Sequence, residues 1–213
     1  MADFKAISEK LEAGEADEVK RLVQAAINEG VPAVDILNKG LLAGMESVGA
    51  KFKVNELFVP DVIFAARAMT AGMQVLQPKL TAAGIEPIGR VVMGTVKGDL
   101  HDIGKNLVCM MLRGAGFNVI DLGSDVPVEK FVAAAKDAKG ECVLGLSALL
   151  TTTMPKMAEV ITQVKKAGLK NVKIMIGGAP VTQGYANEIG ADGYAPDAAS
   201  AADVARDLMG VGR

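Results

Sequence analysis

The residues best equipped for chemistry in this chain are Asp99 and His101, and His101 is its one histidine. They stand two apart in the run Gly98-Asp99-Leu100-His101-Asp102-Ile103-Gly104-Lys105-Asn106. In an extended segment, residues two apart project to the same side. A carboxylate within reach of one imidazole nitrogen fixes the tautomer and makes the other nitrogen a better base or metal ligand. An isolated histidine also serves as a surface or capping residue, so the pair gains meaning from its surroundings. Gly98 and Gly104 permit tight turns and close backbone approach. A bare metal ion held through His101 would need about two or three further protein ligands. No second histidine exists, and neither Cys109 nor Cys142 lies in the run. A metal whose other positions are filled by a macrocycle needs only one protein ligand. A tetrapyrrole-like cofactor carrying its own metal fits that count.

Two further runs are rich in small or hydroxylic residues. Gly145-Leu146-Ser147-Ala148-Leu149-Leu150-Thr151-Thr152-Thr153 could line a narrow slot and hydrogen-bond a ligand, or supply an ordinary helix cap before Met154-Pro155. Gly177-Gly178-Ala179-Pro180 removes side chains where a backbone can approach a flat ligand, and also reads as a plain turn.

The elements that must position these runs fall into two halves. Up to about residue 83 the apolar residues repeat with helical period. Val19, Leu22, Val23, Ala26 and Ile27 make one face, and Gly30 and Pro32 end that helix and begin the next. Val34, Leu37, Leu41, Met45, Val48 and Phe52 define a third helix. Pro60 suits the first turn of a fourth, with Val62, Ala66, Met69, Met73 and Leu76 inward. With a first helix around Phe4 to Leu11, a four-helix bundle is the economical reading. After residues 84–89 short β-rich runs (90–96, 118–122, 142–147, 172–178 and 193–195) alternate with helical stretches near 103–114, 128–138, 154–167, 182–190 and 198–209. That alternation predicts a flavodoxin-like or Rossmann-like five-stranded parallel sheet covered on both faces by helices. Ligands of such sheets bind at the carboxyl ends of the strands, where strand order reverses. The expected organisation is a helical cap over 1–84, a linker over 85–89 and an α/β domain over 90–213.

Composition narrows the classes. The 213 residues are 50% apolar and 23% charged, enough for packed cores and too apolar for disorder. A net charge of −2, with no basic arm, gives no footprint for nucleic acid or anionic membrane. No stretch approaches the run of about 20 apolar residues that a membrane span needs, and the start of the chain lacks the apolar region of a secretion signal. A cytoplasmic protein is expected. Cys109 and Cys142 lie in apolar runs and read as buried thiols.

Taken together, these residues resemble a known family. The run from Gly98 to Gly104 is similar to the Asp-x-His-x-x-Gly signature of cobalamin-binding domains, and Ser147-x-Leu149 and Gly177-Gly178 stand at that family's spacing. The preceding helical half resembles the methylcobalamin cap. The likeness covers nearly the whole chain and extends to the corrinoid proteins of methylamine and methanol methyltransferase systems and to the cobalamin module of methionine synthase. It implies a cobalamin or related corrinoid bound base-off/His-on, with His101 as lower axial ligand of cobalt, Asp99 bonded to it and Thr153 extending the chain. It further implies contacts from Gly98, Asp102, Ile103 and Gly104, and a slot for the nucleotide tail along Ser147, Leu149, Thr151, Gly177 and Gly178. Tyr194, in the run ending Pro196-Asp197, would close that slot. Phe52 and Val59 would cover the upper face, although both also suit ordinary bundle core, and Met45 and Met69 read as core filler.

What the resemblance implies is a methyl carrier of one-carbon metabolism, with little activity alone. Its partners would be a substrate-specific methyltransferase, an acceptor methyltransferase with a thiol or tetrahydropterin acceptor, and a reductive activase. A cobalamin-binding sensor is the alternative, disfavoured by the lack of a basic segment. An adenosylcobalamin isomerase subunit would lack the helical cap. A cofactor-free hydrolase or phosphotransfer protein would need a nucleophile or a phosphate loop, whereas Gly104-Lys105 is followed by Asn106 rather than Ser or Thr.

Overall fold

The computed structural model describes residues 3–138 and 140–211. Two compact units emerge, one comprising residues up to Pro87 with Gly114–Gly116, the other Ile88–Arg113 and Phe117 onward.

The first unit is helical. α1 (Phe4–Glu12) and α2 (Ala16–Asn28) are followed by α3 (Ala33–Asp35), which runs through a π-helical stretch (Ile36–Leu42) into α4 (Ala43–Lys53). α5 (Val59–Ala82) completes the set. Asp3 caps α1 by accepting the Ala6 N–H at 2.9 Å. The core is the stripe of buried side chains these helices share, including Ile7, Leu11, Val19, Val23, Ile36, Leu41, Met45, Val48, Val62, Met69 and Leu76. Met45 and Met69 are therefore core, as expected. The π-helical stretch corrects the reading of the third helix. Its wider turn shifts the face register, so Val34 is exposed and Ile36 buried. On α5 the inward stripe is Val62, Ala65, Ala68, Met69, Gly72, Leu76 and Leu80, and Ala66 and Met73 are only half-buried. Glu12 accepts hydrogen bonds from Ser47 (2.6 Å) and from Lys51, tying α1 to α4.

The second unit alternates strand and helix: β1 (Arg90–Thr95), α6 (Ile103–Gly114), β2 (Asn118–Asp121), α7 (Val128–Asp137), β3 (Cys142–Ser147), α8 (Pro155–Lys166), β4 (Val172–Gly177), α9 (Gln183–Ile189), β5 (Gly193–Ala195) and α10 (Ala198–Met209). All pairs are parallel and the order is β2-β1-β3-β4-β5, the flavodoxin-like arrangement. β1, β3 and β4 are buried along nearly their whole length, as strands covered on both faces must be. The edge strand β2 departs from that expectation, since three of its four residues are exposed. One side of the sheet packs Val92, Leu144, Leu146 and Ile176 against Phe131 of α7 and Met157 and Ile161 of α8. Cys109 and Cys142 are both buried and free. Burial pushes the Cys109 thiol up to about 11, with Asp121 adding to the effect, and burial raises Cys142 as well.

This topology builds one edge from the singled-out strand ends. Thr95 pairs with Ser147, Ser147 with Gly177 and Gly177 with Ala195, a continuous row across β1, β3, β4 and β5. Strand order reverses between β1 and β3, so the loops that follow those two strands flank the switch point.

Candidate functional site

Asp99 and His101 lie on the loop after β1, and the loop after β3 meets them. Gly98 makes the entry turn with φ of +85°, where a side chain would be strained. Asp99 is fully buried. Its Oδ1 accepts the His101 ring Nδ1–H at 2.8 Å and the His101 backbone N–H at 3.1 Å. Its Oδ2 accepts the Leu149 N–H at 2.8 Å, the Leu150 N–H at 3.2 Å and the Thr153 hydroxyl at 2.8 Å. The same Thr153 oxygen lies 2.8 Å from the Leu150 carbonyl, and its single proton serves one acceptor at a time. Burial by itself pushes the Asp99 carboxyl up. The Leu149 N–H, the His101 ring, the Thr153 hydroxyl and the His101 N–H outweigh it and hold the group well below the usual carboxylate range.

The tautomer of His101 follows. An ionised carboxylate only accepts, so the proton between it and the ring sits on Nδ1. The neutral ring then carries its lone pair on Nε2. Half of the His101 side chain is exposed, and among the described residues Nε2 has no protein partner. His101 is held further by its carbonyl, which accepts the buried Thr95 hydroxyl at 3.0 Å. The nearby apolar side chains are turned outward: Leu100 is 73% exposed, Ile103 78%, Leu149 42% and Leu150 41%. Large aliphatic residues so exposed on two loops and the first turn of α6, around one buried carboxylate, suit a surface that something apolar covers.

Asp102 lies at the start of α6, where its carbonyl accepts the Asn106 N–H at 2.7 Å. Gly104 does not form the tight turn its type allowed; it sits in the first turn of α6 with an ordinary φ, and a Cβ there would meet open space. Its lack of a side chain therefore leaves room rather than bending the chain. Gly178 is different: at φ +136° a Cβ would stand 1.9 Å from the Ala148 carbonyl oxygen, so the loops after β3 and β4 require glycine to approach. Ser147 and Gly177 stand in the strand-end row, and Thr151 is exposed on the β3–α8 loop. Thr153 does not cap α8 through its side chain, which is turned to Asp99 instead. Tyr194 lies on β5 at the far edge of the sheet, partly buried against the core, and Asp197 caps α10 through the Ser200 N–H at 2.7 Å. Phe52, half-buried on α4, and Val59, exposed at the start of α5, belong to the helical unit.

Several residues escaped the sequence reading. Lys105 is 2% exposed and meets both Asp121 carboxylate oxygens at 2.7 and 2.6 Å and the Asn106 side chain at 2.6 Å. Burial raises the Asp121 carboxyl, but Lys105 and the Gly123 N–H overcome this and leave it lowered. Asp125 contacts the Gly98 turn. The sequence signal is only a lysine in the run Gly104-Lys105-Asn106, whose lack of Ser or Thr excludes a phosphate loop and says nothing of the burial or of the pairing with Asp121. Among the described residues no group of three or more His, Cys, Asp or Glu could hold a metal ion.

A family model described as "B12 binding domain" matches residues 89–203, and a second of the same description matches residues 4–77. A corrinoid protein of Desulfitobacterium hafniense (strain Y51) is 44% identical over 201 residues, covering 92% of this chain and 93% of the relative. The chain belongs to the corrinoid proteins. Dimethylamine corrinoid protein 1 of Methanosarcina acetivorans is 47% identical over 195 residues, 91% of each chain. The structure of the methanol:cobalamin methyltransferase complex MtaBC from Methanosarcina barkeri matches with a TM-score of 0.87 and 34% identity, covering 97% of this chain and 79% of that one. In this corrinoid protein the Asp99–His101 pair falls within the matched 89–203 segment, and the other segment takes in the bundle up to residue 77, within α5.

Proposed function

We propose that this corrinoid protein carries a methyl group on a corrinoid between a substrate-specific methyltransferase and an acceptor methyltransferase, with His101 as the lower axial ligand. The observation that carries the reading is the chain Thr153–Asp99–His101, which ends at an Nε2 lone pair without a protein partner among the described residues. The residues present fit the group. A single imidazole suffices where a macrocycle fills the remaining positions, the open space at Gly104 accommodates a close neighbour, and Leu100, Ile103, Leu149 and Leu150 offer an apolar surround. When bound, the corrinoid supplies the metal that accepts a methyl group and gives it up.

The chain's own residues orient and tune. Asp99 keeps the proton on Nδ1 and makes Nε2 the more basic donor. Thr153 and the Leu149 and Leu150 N–H groups moderate that push by sharing the same carboxylate. Nε2 is the ring atom that would hold the metal, because with the proton on Nδ1 it alone carries a free lone pair. In this base-off/His-on arrangement the displaced nucleotide tail would run past Gly98, Asp102, Ile103, Ser147, Thr151, Gly177 and Gly178 toward Tyr194. Phe52 and Val59 would shield the upper face from water. The cap would comprise 1–84 and the corrinoid domain 90–213, with residues 85–89 as the hinge that lets a partner reach the metal. The relatives named for dimethylamine and for methanol:cobalamin methyltransferase support a methyltransferase partner over a sensor role. A thiol or tetrahydropterin acceptor, a reductive activase and a cytoplasmic setting complete the proposal. No helix among the described residues is long and apolar enough to cross a membrane.

The test is anaerobic reconstitution with hydroxocobalamin, removal of free cofactor, and electron paramagnetic resonance of the cobalt(II) form. Stoichiometric corrinoid with nitrogen splitting, lost in His101→Ala, is expected. Failure to retain corrinoid overturns the proposal, and unchanged splitting in the variant overturns the role of His101.

A further inference from the structure

Asp125, on the loop between β2 and α7, is one of two described non-glycine residues with positive φ (+54°), a conformation that aspartate tolerates better than most side chains. Its contacts all go to the residues that lead into Asp99. The Asp125 Oδ1 accepts the Gly98 N–H at 2.8 Å, and Oδ2 meets Lys97 Nζ at 2.9 Å. Its own N–H donates to the Asp99 carbonyl at 2.9 Å. The next residue continues the attachment: the Val126 N–H donates to the Thr95 carbonyl at 3.0 Å, and Val96 bridges Val126. One residue therefore grips the chain on both sides of the Asp99 amide. The Gly98 turn, at φ +85°, is closed from within by the Asp99 N–H donating to the Val96 carbonyl at 3.1 Å, and Asp125 adds a second hold from outside it, on the Gly98 N–H and the Asp99 carbonyl.

We propose that Asp125 is a positioning residue for the axial histidine. It holds the Gly98–Asp99 peptide so that the Asp99 carboxylate lies in line with Nδ1 of His101, and it acts through that carboxylate without touching the ring. The inference rests on the assignment of His101 as the axial ligand for its functional meaning, but its geometry stands without any cofactor. The working contact is the charge-assisted bond to the Gly98 N–H. The exposed Lys97 pair contributes little, as such surface pairs do. The lowered Asp125 carboxyl agrees, since the Gly98 N–H is the largest cause and Lys97 the second.

Three variants separate the parts. Asp125→Gly accepts φ +54° without strain and keeps the backbone N–H to Asp99, but loses the bond to Gly98. Asp125→Asn tolerates the same φ and keeps a carbonyl oxygen for the Gly98 N–H. Lys97→Met removes the ion pair alone. With only one histidine in the chain, a long-range nitrogen–proton spectrum of the corrinoid-free protein, taken well above the imidazole range, reads the tautomer of His101 directly. The native chain should show the Nδ1–H form. In Asp125→Gly the ratio of Nδ1–H to Nε2–H forms should fall about tenfold, the scale of one misaligned hydrogen bond to a charged group. Asp125→Asn and Lys97→Met should stay close to the native ratio.

A native ratio in a folded Asp125→Gly protein overturns the proposal. A collapse in Asp125→Asn as deep as in the glycine variant also overturns it, because the retained acceptor should rescue. Should the glycine variant not fold, the Asn and Lys97→Met measurements still decide, since a ratio lost in the ion-pair variant assigns the effect to charge and refutes the Gly98 contact. Hydroxocobalamin added to the same samples separates the two readings. A native chain that retains no corrinoid fails the function proposal while leaving the tautomer result intact.

Discussion

Asp99 accepts from five donors, the His101 ring and backbone N–H, the Leu149 and Leu150 N–H groups and the Thr153 hydroxyl. An amide at this position has one oxygen to offer and would point N–H groups at donors, so Asp99→Asn should cost about 2–3 kcal/mol. Urea unfolding at neutral pH measures it, and an unchanged midpoint would show that the network contributes no stability. Thr153→Val should cost about 1 kcal/mol on the same assay, with Thr153→Ser close to native because the hydroxyl is retained. The pairing of Asp99 with His101 was legible in their spacing, and the role of Thr153 followed from a family likeness. The Leu149 and Leu150 contacts were not legible, because a backbone N–H leaves no trace in residue type. Nor was Asp125, since its partner is likewise a main-chain amide, brought near by strand pairing rather than by sequence.

At the level of the element, β2 and α6 are joined by Lys105 and Asp121, and the two partners are not equally dependent on each other. Lys105 has a side chain only 1% exposed, whereas that of Asp121 is 29% exposed. Asp121→Ala would strand a buried ammonium and should cost about 3 kcal/mol or more, while Lys105→Met leaves a carboxylate that water can reach and should cost less. Chemical unfolding of the two variants compares them directly; a milder Asp121→Ala would contradict the argument. Asp121 is held below its ordinary carboxylate range, so its stabilisation is present above about pH 4 and is lost as pH falls through the lowered value. Acid unfolding should therefore be flatter in Asp121→Ala than in the native chain. Gly104→Ala tests α6 from the other side. A methyl there meets open space and a helix prefers alanine, so stability should hold or rise by up to about 1 kcal/mol while corrinoid retention falls. The strands and helices of this half were readable because apolar strand runs alternate with amphipathic helices. The π-helical stretch of the bundle was not, because a single widened turn leaves the apolar spacing almost unchanged while moving Val34 to the surface.

For the whole molecule, the join between the halves is the informative segment. Residues 84–89 carry no regular structure, and Gly84, Glu86, Pro87 and Ile88 are exposed. Brief digestion with a low-specificity protease should cut there first and release a fragment beginning near Arg90, read by mass spectrometry; first cuts inside α5 or β1 would contradict the proposed linker. The two cysteines have a different consequence. Both thiols are sealed in the sheet domain and held protonated, Cys109 up to about 11, so neither offers a thiolate at neutral pH. A protein proposed to handle an electrophilic one-carbon group thereby keeps its own two thiols out of that group's reach, as the proposed transfer to an external acceptor requires.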